Sequence, residues 1–128
     1  MNEAALQNHI REKFAHVGPI WRNNSGACTD ATGRLIRYGL GNDSAKMNGH
    51  IKSSDLIGIR PLLVDVPGIG WRMVGVFTAI EVKAPGWRLR DGDERAHAQA
   101  RYHDVVRQSG GFAGFASSVD DVARIIAL

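Results

Sequence analysis

Two long apolar stretches with a four-residue break between them constrain this chain more than any other feature. Residues 55–66 and 71–83 are rich in Ile, Leu and Val, and Pro67-Gly68-Ile69-Gly70 separates them. Stretches of this composition read as strands, and a Pro-Gly pair between them reads as a turn. In the second stretch Val74, Val76, Thr78, Ile80 and Val82 share one face, and Phe77, Ala79, Glu81 and Lys83 share the other. Ala84-Pro85-Gly86 stops the run. Long neighbouring strands need cover for their apolar faces, and the flanking sequence offers helices.

Leu6, Ile10 and Phe14 recur at i, i+4, i+8, which predicts a helix over residues 3–16 ended by Gly18-Pro19. Residues 27–30 and 34–38 predict a hairpin around Asp30-Ala31-Thr32-Gly33. Residues 39–54, rich in Gly, Asn, Ser and Asp, predict a long loop. A second helix is expected over residues 91–108, with Asp93 and Glu94 near its start and Ala98, Tyr102 and Val105 buried. Ser109-Gly110-Gly111 ends it, residues 112–116 form a short strand, and Ser118 caps a last helix that buries Val122, Ile125 and Ile126. The order helix, three strands, helix, strand, helix implies an α/β fold with a mixed sheet and helices on both faces.

The 128 residues, 44% of them hydrophobic, suit one domain. Sixteen basic and 13 acidic residues give a net charge of +3, which permits nucleic-acid binding without demanding it. Cys28 stands alone, which excludes an intrachain disulfide and a cysteine-rich zinc site and fits a reducing cytosol. It is expected to be a packed strand residue. No apolar segment is long enough for a bilayer, and the polar start (Met1, Asn2, Glu3) predicts no secretory signal. The five histidines lack metal-ligand spacing, and His97 and His103 are expected at the surface.

Asp55 opens the first apolar run, and Glu81-Val82-Lys83 closes the second. Phosphodiester hydrolysis needs charge neutralised on the phosphate and a water activated for in-line attack. Hard cations such as Mg²⁺ prefer oxygen ligands, and Asp55, Glu81 and the Val82 carbonyl can supply them. Glu81 and Lys83 project from one face, so the ammonium of Lys83 can orient the water or stabilise developing negative charge. A Glu-x-Lys triplet alone is weak; its place at the end of the most apolar strand strengthens it. The competing reading is two solvated strand ends joined by an ion pair.

Ser53-Ser54-Asp55-Leu56-Ile57-Gly58, followed by residues 77–83 (Phe-Thr-Ala-Ile-Glu-Val-Lys), resembles the PD-(D/E)XK nuclease superfamily. Within it the chain most resembles the small stand-alone VRR-NUC domains of phages and bacteria, over essentially its whole length. Residues 93–102 fit that family's glutamine-bearing helix, and Gly110-Gly111-Phe112-Ala113 the turn and strand after it. The resemblance implies a restriction-endonuclease-like core using Mg²⁺ or Mn²⁺. It implies Asp55 and Glu81 as metal-binding acids, Lys83 as the catalytic lysine, Gln99 as the helix glutamine and Glu3 as the first-helix glutamate that completes the acidic cluster. Ser54 stands where proline is common, and Val106-Arg107-Gln108 only approximates the family's Val-Arg-Arg signature.

The expected function is a cytoplasmic, metal-dependent DNA endonuclease of a bacterial or phage-infected cell. The resemblance further implies action on branched DNA such as Holliday junctions, as a homodimer. A nicking, flap-cleaving or restriction-type enzyme of the same core, or a non-catalytic DNA-binding module, stays open. Trp87, Arg88 and Arg90 follow the catalytic strand and suit phosphate or base contact. Arg22 and Lys52 are further candidates for the DNA backbone, beside the bland reading of solvated loop residues.

Overall fold

The computed structural model describes residues 1–128. Its elements are α1 (Glu3–Phe14), β1 (Ile20–Arg22), β2 (Gly26–Thr29), β3 (Leu35–Tyr38), α2 (Ala45–His50), β4 (Leu56–Val66), β5 (Gly70–Val82), α3 (Glu94–Gln108), β6 (Phe112–Ala116) and α4 (Val119–Ile125). The chain is mixed α/β. Four strands form a central mixed sheet in the order β1-β4-β5-β6, and β2 and β3 pair separately. β1 and β5 run antiparallel to β4, whereas β6 runs parallel to β5. No helix is long and apolar enough to cross a membrane.

The two faces of β5 sort the core. Ile80 and Val82 point to one side, where Leu6, Ile10 and Phe14 of α1 and Val122 and Ile126 of the C-terminal segment close over them. Ala79 points to the other side and packs with Tyr102 and Val106 of α3 and Ala113 of β6. Each fully buried Ile or Leu contributes roughly 1.5–3 kcal/mol by leaving water. Helices therefore cover both faces, as the sequence implies.

Caps place the helices. The Asn2 side chain accepts from the Ala5 N–H, Asp93 from Ala96 and Ser118 from Asp121. α3 consequently starts at Glu94, later than the acidic run suggests. α1 stops at Phe14, before Gly18-Pro19, because a turn closes there through Val17 N–H to the Phe14 carbonyl.

Several expectations change. The loop over residues 39–54 contains α2, a single capped turn and a half in which Ser44 accepts from the Met47 N–H. β1 is a strand not expected from the sequence, and it, not the β2–β3 hairpin, supplies the third strand beside β4 and β5. On α3 the buried residue is Val106, whereas Val105 is 51% exposed, because Gln99, Tyr102 and Val106 share the inward stripe. His103 belongs to that inner surface too and is only 1% exposed. Cys28 is exposed on a two-stranded hairpin that lies off the main sheet.

The β4–β5 pairing runs without interruption from Leu56↔Ile80 to Val66↔Gly70. Its turn is set by Pro67 and by Gly68, whose φ of +78° suits the third residue of a type II turn; Ile69 N–H closes it onto the Val66 carbonyl at 3.0 Å. β1 covers only Leu56 to Gly58 and β6 only Thr78 to Val82. The remainder projects as a two-stranded ribbon.

Candidate active site

The site forms where the β4–β5 ladder ends. Beyond the Leu56↔Ile80 pair, side chains take over the bonding. The Asp55 N–H donates to Glu81 Oε2 at 3.2 Å, and the Val82 N–H donates to Asp55 Oδ2 at 3.0 Å. This exchange draws the two carboxylates together. From α3, the Gln99 side-chain amide donates to Glu81 Oε1 at 2.8 Å. Glu81 is 4% exposed and Gln99 1% exposed, so water screens neither.

Electrostatics follow from that packing. Burial pushes the Glu81 carboxyl up to about 8, and the neighbouring Asp55 charge pushes it the same way, while Lys83 acts against both. The chain has two ion pairs within 4 Å, Arg107–Asp104 and Arg124–Asp121, and neither includes Lys83. The Lys83 ammonium instead lies 5.1 Å from the Trp87 ring centre and 5.9 Å from that of Phe115. Those rings stack at 4.7 Å, so they hold the cation beside the carboxylates without neutralising them.

The donor set offers oxygens to a divalent cation. Two carboxylates in a poorly solvated pair, without a paired cation, favour either a shared proton or a bound ion. Their oxygens are hard ligands, which suits Mg²⁺ or Mn²⁺. The Val82 side chain points into the opposite core, so only its main chain is available. No group of three or more His, Cys, Asp or Glu side chains could hold a metal ion. Glu3 therefore does not complete an acidic cluster. It stands exposed in the first turn of α1, where the helix N-terminus favours a solvated carboxylate.

The segment carrying Asp55 is fastened from both sides. Asn23, just after β1, donates through its side chain to Ser53 Oγ and to the Ser54 carbonyl, both at 2.9 Å. Its N–H donates to the Asp55 carbonyl at 2.8 Å. Ser54 Oγ and His103 Nε2 are hydrogen-bonded at 2.8 Å in the interior. Burial pulls His103 down to about 4, so the ring is neutral at pH 7. Its Nδ1 has no partner, nor does Gln99 Oε1.

The structure brings together Asp55, Glu81, Lys83 and Gln99, all expected from the sequence, and adds Ser54, His103 and Phe115, which were not expected there; Asn23, in a polar turn that could support the site, does so through Ser53 and Ser54. A signal for His103 exists: it follows Gln99 by one helical turn on the same stripe. Of the DNA-binding candidates, Trp87 packs on Lys83 and Phe115 rather than standing free. Arg22 donates to Asn8 Oδ1 at 3.3 Å, Arg88 and Arg90 are exposed between β5 and α3, and Lys52 lines a polar cleft. A cleft of about 470 Å³ lies elsewhere, between Phe77 and the C-terminal end of α3, and no ionisable side chain lines it. Comparison with protein-family models, curated proteins and solved structures finds no match.

Proposed function

We propose that this chain is a metal-dependent deoxyribonuclease with a restriction-endonuclease-like core. The observation that carries the reading is the Asp55–Glu81 pair, buried at Glu81 and half-buried at Asp55, tied to Gln99 and flanked by a lysine that neutralises neither acid. Asp55, Glu81 and the Val82 carbonyl would hold Mg²⁺ or Mn²⁺. The bound cation would supply Lewis-acid stabilisation of the phosphoryl group and a more acidic water. Gln99 keeps Glu81 in one orientation, because its amide occupies Oε1. Lys83 presents a positive charge to the developing oxyanion, and the rings of Trp87 and Phe115 limit where that charge can go. His103 is neutral and hydrogen-bonded to Ser54, so it positions the Asp55 segment and is not the general base.

The substrate in this reading is DNA, branched DNA such as a four-way junction first, cut by a homodimer in the cytoplasm of a bacterial or phage-infected cell. A nick-, flap- or restriction-type preference is the alternative on the same core. A purely structural pair is the competing reading, because both acids already accept main-chain N–H groups at the strand ends.

Labelled four-way junction, flap, single-stranded and linear duplex DNA, incubated with Mg²⁺, Mn²⁺ or EDTA, separate these readings. Cleavage is expected with metal and not with EDTA, and Glu81→Ala and Lys83→Ala are each expected to lower it by about a hundredfold or more. Full activity in both variants would reduce the pair to a strand-end bond. Equal cutting of all four substrates would remove the branched-DNA preference.

A further inference from the structure

A cleft of about 190 Å³ opens between the β2–β3 hairpin and the start of α3. Arg37, Lys52 and Arg95 line it together with Asn42, Asn48 and Ser53, and no acidic residue does. None of the three cations belongs to an ion pair. Burial and the nearby Arg95 hold the Lys52 ammonium below the usual lysine range, the mark of positive charge gathered without a counter-ion.

The cleft is held by bonds that leave the Lys52 ammonium, the Arg95 guanidinium and the Ser53 hydroxyl hydrogen free. Asn42 is 4% exposed, and its amide donates to the carbonyls of Gly26 and Tyr38, which fixes it against the hairpin. Its Oδ1 accepts from the Arg37 guanidinium at 3.2 Å and orients it. The Lys52 N–H donates to the Ala98 carbonyl at 3.1 Å, tying that residue to α3. Ser53 Oγ accepts from Asn23, which leaves the hydroxyl hydrogen free to donate. Arg, Lys and Ser donors lining one cleft without an acid match a tetrahedral oxyanion.

The cleft's position relates it to the carboxylate pair. Lys52 precedes Asp55 by three residues, a span of about 10 Å in extended chain. Arg95 precedes Gln99 by four residues of α3, about 6 Å along the axis. An anion in the cleft therefore lies beside the carboxylates, not on them, at a distance comparable with phosphates a few nucleotides apart on one strand.

We propose that Arg37, Lys52 and Arg95 form a second phosphate subsite that grips a DNA backbone phosphate near the one cut at Asp55 and Glu81. The identity of the ligand rests on the nuclease reading; the cleft and its unpaired charge do not. The subsite holds the strand in register, so its cations govern affinity and salt dependence, and the carboxylates govern cleavage.

The test is anisotropy of fluorescent duplex and four-way-junction DNA, in EDTA so that binding is read without cleavage, across a series of salt concentrations. Lys52→Gln and Arg95→Gln are each expected to weaken binding about three- to tenfold and to lower the slope of log affinity against log salt by about 1. Lys13→Gln, an exposed cation on α1, is expected to change neither. Glu81→Ala is expected to bind DNA and fail to cut it. Unaltered affinity and slope in a Lys52→Gln/Arg95→Gln double variant that melts like the wild type overturns the subsite, whatever Glu81→Ala does. Absence of cleavage by the wild type with Mg²⁺ or Mn²⁺ overturns the nuclease reading instead, and cleavage retained by Glu81→Ala overturns its placement at the carboxylate pair. Calorimetric titration with inorganic phosphate is the last arm: binding abolished by the double variant, with DNA affinity unchanged, would make this a free-phosphate site and overturn the DNA assignment.

Discussion

Glu81 and His103 give opposite pH signatures. Glu81 is raised to about 8 in the fold, so between its ordinary value and 8 the metal-free native state keeps a proton that the unfolded chain releases. That stability is complete below pH 4.5 and is lost as pH rises through 8. His103 is lowered to about 4, so its stability is complete above pH 6.5 and is lost as pH falls toward 4. The two oppose each other from 4.5 to 6.5, and only Glu81 acts from 6.5 to 8. In EDTA, melting temperature is expected to fall by several degrees across that upper window, on the order of 2 kcal/mol. Glu81→Gln is expected to flatten the profile there; a wild-type profile already flat would show that Glu81 holds no proton. The acids and Lys83 were legible because strand periodicity assigns faces unaided. The neutral interior His103 was not, because histidine composition says nothing of burial and only its four-residue offset from Gln99 hints at a shared stripe.

β1 is the element on which the Asp55 segment leans, and it was the least legible. Three residues are too few to show a period of two, and its neighbours read as turn. Its close approach to β4 depends on Gly58, where a Cβ would meet the Pro19 carbonyl oxygen at 2.3 Å and Ile20 Cα at 3.2 Å. Gly58→Val should push β1 away at a cost of about 1–3 kcal/mol and loosen the Asn23 bonds that follow β1 directly. Thermal denaturation checks this against Gly92→Ala, which has open space around it and is expected to melt within about a degree of the wild type. Equal melting of both variants would show that β1 does not need the close approach. α2 escaped notice for a related reason: six residues containing Gly49 and Asn48 carry little helical preference, and the Ser44 cap forms it.

The whole molecule places its acids between two cores and sends one ribbon into solvent. Along that ribbon Leu63 is 61%, Trp71 63% and Met73 65% exposed, with Leu63 directly opposite Met73. A two-stranded ribbon is marginal alone in water, and apolar side chains gathered on it favour a partner surface. In the homodimeric reading, this ribbon supplies the contact. Sedimentation is expected to give a dimer for the wild type and a monomer for Leu63→Lys/Met73→Glu at unchanged melting temperature; a wild-type monomer at micromolar concentration counts against it. The ribbon also has an indexing role. Every rung from Val66↔Gly70 down to Leu56↔Ile80 is counted from the Pro67-Gly68 turn, and Asp55 and Glu81 are the next residues along. One residue inserted at that tip, some 30 Å of strand away, would shift Glu81 by a rung and turn it to the opposite face. The alignment of the two carboxylates is thus written at the far end of the molecule, in the length of a turn that touches neither.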